Sequence, residues 1–211
     1  MKVCEVFASI QGESTYAGWP CVFIRTTGCN LRCEYCDTKY AYEEGRERSV
    51  DDLMNEINGY GINLVEITGG EPLLQNEMPA LISKLFERGY VVLIETNGSQ
   101  SIRDIDKRCI IVMDIKTPSS GMFDQMDLSN IKYLKPLDEV KIVVADRQDY
   151  EWAKGFISSY GIYGKCLVHF SPAFNRLEPA LLSKWMLEDR LTVRMNIQLH
   201  KYIFHPDKRG V

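Results

Sequence analysis

The chain has 211 residues, room for one compact domain and hardly two. It carries 25 Lys and Arg against 29 Asp and Glu, a net charge of −4, with 45% hydrophobic and 26% charged residues. This is ordinary globular composition, and it excludes a disordered chain and a nucleic-acid binder that relies on net positive charge.

Taken in chain order, the opening MKVCEVFASIQGEST meets Glu5 and Gln11 too early for a signal-peptide core, and no run approaches the ~20 apolar residues of a membrane span. A cytoplasmic protein without membrane or nucleic-acid partners is expected. Residues 2–8 and 21–25 read as strands, rich in β-branched and aromatic side chains. Ser49 then opens a helix in the manner of a capping box, with Asp52 at its third position and Leu53, Met54 and Ile57 as its stripe. Residues 63–68 form a short apolar strand. Met78, Leu81, Ile82, Leu85 and Phe86 lie on one helix face, with Gly89 placed for a left-handed cap. Strands follow at 91–95, 110–115 and 139–144, then a helix near 150–160. A strand at 166–170, a helix at 178–187 and a last strand at 192–199 complete the chain.

Apolar strands alternating with helices indicate a parallel sheet covered by helices. A closed eight-stranded barrel takes about 250 residues. The expectation is therefore an α/β partial barrel of about six parallel strands, in one domain over 1–211. In such folds chemistry gathers at the C-terminal ends of the strands.

The seven cysteines are not needed as disulfide staples in a cytosolic chain. Cys4, Cys21, Cys109 and Cys166 are scattered, and we read them as packing thiols on strands. Cys29, Cys33 and Cys36 form a C-x3-C-x2-C run after the strand that ends near Arg25. Three close thiolates can converge on one metal centre. Structural zinc and a common four-iron cluster both want four ligands, so three leave one position open. The competing explanations are a zinc knuckle completed by His169, His200 or Cys4, and a free redox dithiol at Cys33 and Cys36. A second motif, Thr68-Gly69-Gly70-Glu71-Pro72, ends the next strand. Its glycines admit a close backbone approach to a ligand, and Glu71 offers a carboxylate to a cation; an ordinary strand-to-helix turn is the plainer explanation. Polar groups recur at later strand ends: Glu95 to Gly98, Asp114 to Lys116, His169 to Ser171 and Gln198 to Lys201. Their recurrence argues for a lined cavity.

The cysteine spacing and the TGGEP turn resemble the radical S-adenosylmethionine superfamily. The resemblance implies a [4Fe-4S] cluster on Cys29, Cys33 and Cys36, with S-adenosylmethionine on the remaining iron. It implies cofactor contacts from Thr68, Gly69, Gly70 and Glu71, and we add Asp114, Lys116 and Ser171 near the adenosyl part. Within the superfamily, the elements Q11-G-E-S-T, Cys36-Asp37-Thr38 and Q198-L-H-K are together similar to the 7-carboxy-7-deazaguanine synthase family, from near residue 3 to about residue 201. That likeness implies a carbon–nitrogen lyase of queuosine and 7-deazapurine biosynthesis. It would contract 6-carboxy-5,6,7,8-tetrahydropterin to 7-carboxy-7-deazaguanine with loss of ammonia, through a 5′-deoxyadenosyl radical.

The likeness further implies substrate contacts from Gln11, Gly12, Glu13, Arg25, Glu95, Asn97 and His200, with Glu13, Arg25 and His200 catalytic. Arg25 offers a bidentate fork for a carboxylate. Gln11, Glu13 and Glu95 can read the amino and N–H edge of a pterin. Thr38 would bind Mg²⁺, and a flavodoxin or ferredoxin would donate electrons to a homodimer. The bland alternatives are a solvated Glu13, an Arg25 paired with a neighbouring acid and a Thr38 that caps a turn. Glycyl-radical activating enzymes share the cysteine spacing and are the alternative function. Whether Arg209 or the Val211 carboxylate approaches the substrate is open at this point.

Overall fold

A computed structural model describes residues 1–211. β1 (Lys2–Ile10) and β2 (Pro20–Thr26) form an antiparallel pair, and β3 (Arg46–Glu47) adds to the far edge of β1. α1 (Val50–Tyr60), β4 (Leu64–Gly69), α2 (Met78–Glu87) and β5 (Val91–Thr96) follow. Then come β6 (Ile110–Ile115), β7 (Glu139–Val144), α3 (Arg147–Ser159), β8 (Leu167–Pro172), α4 (Pro179–Glu188), β9 (Arg194–Met195) and α5 (His200–Ile203). The strands build one sheet in the order β3-β1-β2-β4-β5-β6-β7-β8-β9, and every pairing from β2 onward is parallel. Its two ends do not pair with each other. The sheet is the expected open partial barrel.

One sequence expectation changes. The last strand, expected over 192–199, is only two residues long, and His200 begins a short helix instead. Two crossovers lack an α-helix, in line with the sequence, which shows no helical pattern between the strands at 91–95, 110–115 and 139–144. Residues 97–109 are a loop, and Pro118–Ser120, Phe123–Gln125 and Leu128–Tyr133 are 3₁₀ turns.

The strands have two different faces, because side chains alternate along a strand. Val65 and Ile67, Val92 and Ile94, Val140 and Ile142 point to the large core under the helices. α1 and α2 cover that face with Leu53, Met54, Ile57, Leu81, Ile82 and Leu85. The opposite face is apolar only at one end, where Phe7, Cys21, Phe23, Leu64, Leu93 and Ile110 cluster. Further along the same face come Glu66 and Thr68 on β4, Asp114 on β6, Lys141 on β7 and Ser171 on β8, all buried. Of the four scattered cysteines, Cys21 and Cys109 are buried as packing thiols, whereas Cys4 and Cys166 are only partly so.

The element ends follow the expected chemistry. Ser49 Oγ accepts from the Asp52 N–H at 3.0 Å and donates to Asp52 Oδ2 at 2.7 Å. After α2, Gly89 at φ 79° lets Tyr90 N–H reach Leu85 O at 3.1 Å and Gly89 N–H reach Phe86 O at 3.0 Å. This double bond is the Schellman arrangement. Replacing Ser49 with Ala is expected to lower stability by about 1 kcal/mol. A urea melt should show a lower midpoint with an unchanged slope. An unchanged midpoint would mean that packing of Leu53 and Ile57, and not the cap, starts the helix.

Candidate active site

A cavity of about 390 Å³ opens at the C-terminal ends of the parallel strands. A smaller one of about 130 Å³ adjoins it, and the two share Glu13, Arg25, Thr38, Thr68, Glu95 and Lys141 on their walls. One end of the main cavity is built from the cysteine loop. Cys29, Cys33 and Cys36 all line it. No three His, Cys, Asp or Glu side chains gather closely enough to hold a single ion. A zinc site would bring its thiolates to within about 4 Å of one another, each at about 2.3 Å from the metal. The residues named for a zinc knuckle are elsewhere: His169 Nε2 lies 2.7 Å from Glu139 Oε2, off the hydrogen-bond direction, and His200 lies against Gly12. Three thiols spread around one wall fit a multi-iron cluster better. The N–H of Leu31 lies 3.4 Å from Cys29 Sγ and the Asn97 amide 3.6 Å from it, donors of the kind that tune cluster thiolates. Burial pushes the Cys29 and Cys33 thiols above their ordinary range in the metal-free chain.

The glycine turn is stitched to that loop. β2 and β4 are neighbours, with Thr26 opposite Gly69. Gly70 N–H donates to Thr26 O at 3.1 Å, and Glu71 N–H donates to Gly28 O at 2.8 Å. A Cβ on Gly70 would sit 2.0 Å from Gly28 O and 2.9 Å from Cys29 Cβ, so this position admits only glycine. Thr68, Gly69 and Gly70 line the cavity. Glu71 does not, which corrects its expected role as a ligand. Its fully buried carboxylate accepts from Leu73 N–H at 3.0 Å, Thr96 Oγ1 at 2.8 Å and Asn97 N–H at 2.7 Å. Glu71 braces the β4 and β5 ends from behind.

Past the thiols, Asp114 Oδ2 accepts from Lys116 Nζ at 2.8 Å, while Asp114 Oδ1 is buried with no partner in the chain. Ser171 Oγ accepts from Asn196 at 3.0 Å. Asp114, Lys116 and Ser171 thus share one wall of the main cavity. Asn97 belongs on the thiol side as well. It reaches Cys29 and Asn30 and lines the main cavity, not the smaller one.

The smaller cavity gathers Gln11, Gly12, Glu13, Arg25, Thr38, Glu95 and His200. Gly12 is there because His200 needs the space: a Cβ would lie 2.2 Å from His200 Nδ1. Burial holds the His200 imidazole below its ordinary range, against the pull of Glu13. Arg25 Nε is paired with Glu5 Oε1 at 2.8 Å, and its two Nη atoms make no hydrogen bond within the chain. The neighbouring acid therefore takes one edge of the guanidinium and leaves the fork. Glu13 is not a solvated loop carboxylate: it bonds Lys141 Nζ at 2.8 Å. Thr38 Oγ1 donates to Asp37 Oδ1 at 2.9 Å. Of the two tail groups, Val211 lines this cavity, whereas Arg209 pairs with Glu44 at 2.8 Å and stacks on Tyr40.

Sequence reasoning missed Glu66 and Lys141. Glu66 is the one charge in the apolar strand LVEITG, and Lys141 shares EVKIVV with Glu139, all at the parity that points away from the helices. That parity was the available signal. Glu66 accepts from the Gln11 amide. Burial, then the nearby Glu95 and Glu13 charges, push its carboxyl well above the ordinary 4.5. The raised value means that Glu66 stabilises the fold fully below pH 4.5 and loses this contribution as pH rises through its folded value. The Glu66→Gln protein should therefore lose less melting temperature than the unsubstituted chain as pH rises from 4.5. Equal losses in thermal melts of the two would show that Glu66 is not neutral in the folded state.

The chain is similar to known proteins from end to end. The Radical SAM superfamily model matches residues 23–115. The 7-carboxy-7-deazaguanine synthase of Chlorobaculum tepidum is 48% identical over 100% of this chain and 97% of that protein. The same-named protein of Koribacter versatilis is 41% identical over the whole of both chains. The crystal structure of QueE from Escherichia coli superposes with a TM-score of 0.79 over 94% of each chain, at 22% identity, and so shows the fold alone. Identity near one half, sustained along the whole length, makes this chain a member of the 7-carboxy-7-deazaguanine synthase family of radical S-adenosylmethionine enzymes.

Proposed function

We propose that the protein contracts 6-carboxy-5,6,7,8-tetrahydropterin to 7-carboxy-7-deazaguanine with loss of ammonia. The observation that carries this reading is a pair of adjoining cavities, one lined by the three thiols and the other by carboxylates, with wall residues in common. Family membership supports a [4Fe-4S] cluster and S-adenosylmethionine as cofactors. When bound, they supply hydrogen-atom abstraction from the substrate and its return.

Cys29, Cys33 and Cys36 would hold the cluster and leave one position for the cofactor. Thr68, Gly69 and Gly70 present backbone to it, where no side chain intrudes. The unpartnered Asp114 Oδ1 is an acceptor for its hydroxyl or amino groups, with Lys116 fixing the carboxylate and Ser171 on the same wall. The open Nη edge of Arg25 suits the pterin carboxylate. Gln11, Glu13 and Glu95 suit the amino and ring N–H edge, and the neutral His200 can accept or pass a proton at the heterocycle. Thr38 supports the Mg²⁺ reading: one hydroxyl beside Asp37, at the wall common to both cavities, is the sparse protein contribution that this ion accepts.

A small one-electron donor of the flavodoxin or ferredoxin kind would reduce the cluster. A homodimer would cover some of the exposed apolar side chains, among them Leu137, Leu187 and Tyr202. No helix is long and apolar enough to cross a membrane, and three free cluster thiols suit the reducing cytoplasm.

Anaerobically reconstituted protein should contain about four irons per chain. It should convert the carboxypterin and gain rate from Mg²⁺. Zinc in place of iron, or an intact cluster with no turnover under reducing conditions, would end this reading. Cleavage of the cofactor without the pterin would favour a glycyl-radical activase instead. Arg25→Met should raise KM for the carboxypterin about tenfold or more, through the loss of about 1.5–3 kcal/mol of charge-assisted hydrogen bonding. An unchanged KM would remove Arg25 from the substrate site.

A further inference from the structure

Lys141 sits in the middle of β7, on the polar face, with its side chain only 10% exposed. Its ammonium bonds Glu13 Oε2 at 2.8 Å and Glu95 Oε1, and it lies 3.8 Å from Asp114 Oδ2. No other cation touches both Glu13 and Glu95. Glu95 Oε2 is held in turn by the Thr68 hydroxyl at 3.0 Å. Lys141 therefore stands between the wall assigned to the cofactor and the one assigned to the pterin, and it lines both cavities.

We propose that Lys141 is a positioning residue that holds Glu13 and Glu95 as a fixed pair of ionised acceptors for the pterin edge. The inference rests on the pterin reading given above. An ionised carboxylate only accepts hydrogen bonds, whereas a protonated one also donates. The amino and N–H groups of a pterin require acceptors. Carboxylates that share a buried space cannot all stay ionised without a counter-charge.

The other charged groups around Lys141 come from every neighbouring element. Arg25 on β2 is already paired with Glu5, and Lys116, just past the end of β6, with Asp114. Glu66 on β4 is pushed toward its neutral form. On β8 His169 lies opposite Lys141, turned to Glu139, and His200 of α5 faces the smaller cavity. This leaves Lys141 as the charge that serves the pair. Burial raises the Glu95 carboxyl, and the Lys141 ammonium outweighs it, so that Glu95 lies below the usual carboxylate range.

The test uses reconstituted holoenzyme, its Lys141→Met variant and its Lys141→Arg variant. Binding of the carboxypterin is measured by anaerobic calorimetry, and kcat and KM are followed from about pH 4 to about pH 9. Lys141→Met should weaken pterin binding and raise KM about tenfold near pH 7. The acid limb of its kcat/KM profile should move up by about one pH unit or more. Lys141→Arg, which keeps the charge, should keep the limb of the unsubstituted enzyme. Iron content and melting temperature report whether each variant is folded. A Lys141→Met limb that coincides with that of the unsubstituted enzyme overturns the proposal. So does a Lys141→Arg limb that shifts, and this second arm decides the matter should Lys141→Met fail to fold. If the unsubstituted holoenzyme neither binds nor turns over the pterin, the functional reading fails and takes this inference with it.

Discussion

Charge buried on the concave face of the sheet is the constraint that the rest of the structure depends on. Glu66, Asp114, Glu139 and Lys141 are all buried there, and Glu13 and Glu95 are nearly so. Ionised groups taken from water need partners, or they change protonation state. Each has found one outcome or the other. Glu13 and Glu95 meet Lys141, Asp114 meets Lys116, and Glu139 takes Thr15 N–H at 3.1 Å and lies beside His169. Glu66, with only the Gln11 amide beside it, is driven toward neutrality. The cavity survives because these pairs form a rigid polar lining that apolar side chains would have filled.

The same constraint explains why the 11–18 loop and the C-terminal segment fold over the open side. Gln11, Glu13 and Thr15 each bond a charged group of the concave face. The C-terminal segment is fastened in turn to that loop and to the cysteine loop. Leu199 N–H donates to Gly12 O at 2.8 Å, and Lys201 Nζ bonds Asp37 Oδ2 at 2.8 Å. The Lys201 ammonium holds the half-exposed Asp37 carboxyl below the usual carboxylate range. Three segments far apart in sequence thus make a roof that the sheet alone does not provide.

The residues differ in how readable they were. Cys29, Cys33 and Cys36 and the glycine turn at Gly69 and Gly70 were legible because a few adjacent residues define each motif. Their contact was legible only in outline. It depends on β2 lying beside β4, which brings Gly28 within 2.8 Å of the Glu71 N–H. Glu71 misled, because a carboxylate next to a glycine turn looks available to a ligand when its bonds to Thr96 and Asn97 come from a strand 25 residues later. The last strand was overestimated because residues 192–199 keep a strand-like composition, although β8 offers a partner for only two of them.

By itself the sequence determined the longer strands and helices, the cap at Ser49, the turn at Gly89 and the spacing of the three thiols. These depend on periodicity and on neighbours within a few residues, so local physics suffices. Only the tertiary structure decided which charges lie inside and what each is paired with. Lys141 in EVKIVV and Glu66 in LVEITG look like defects in apolar strands until the sheet is assembled. Strand parity then turns both toward the cavity, and burial makes every unpaired charge costly. The partners that relieve that cost, Glu13 and Gln11, come from a loop more than 50 residues away.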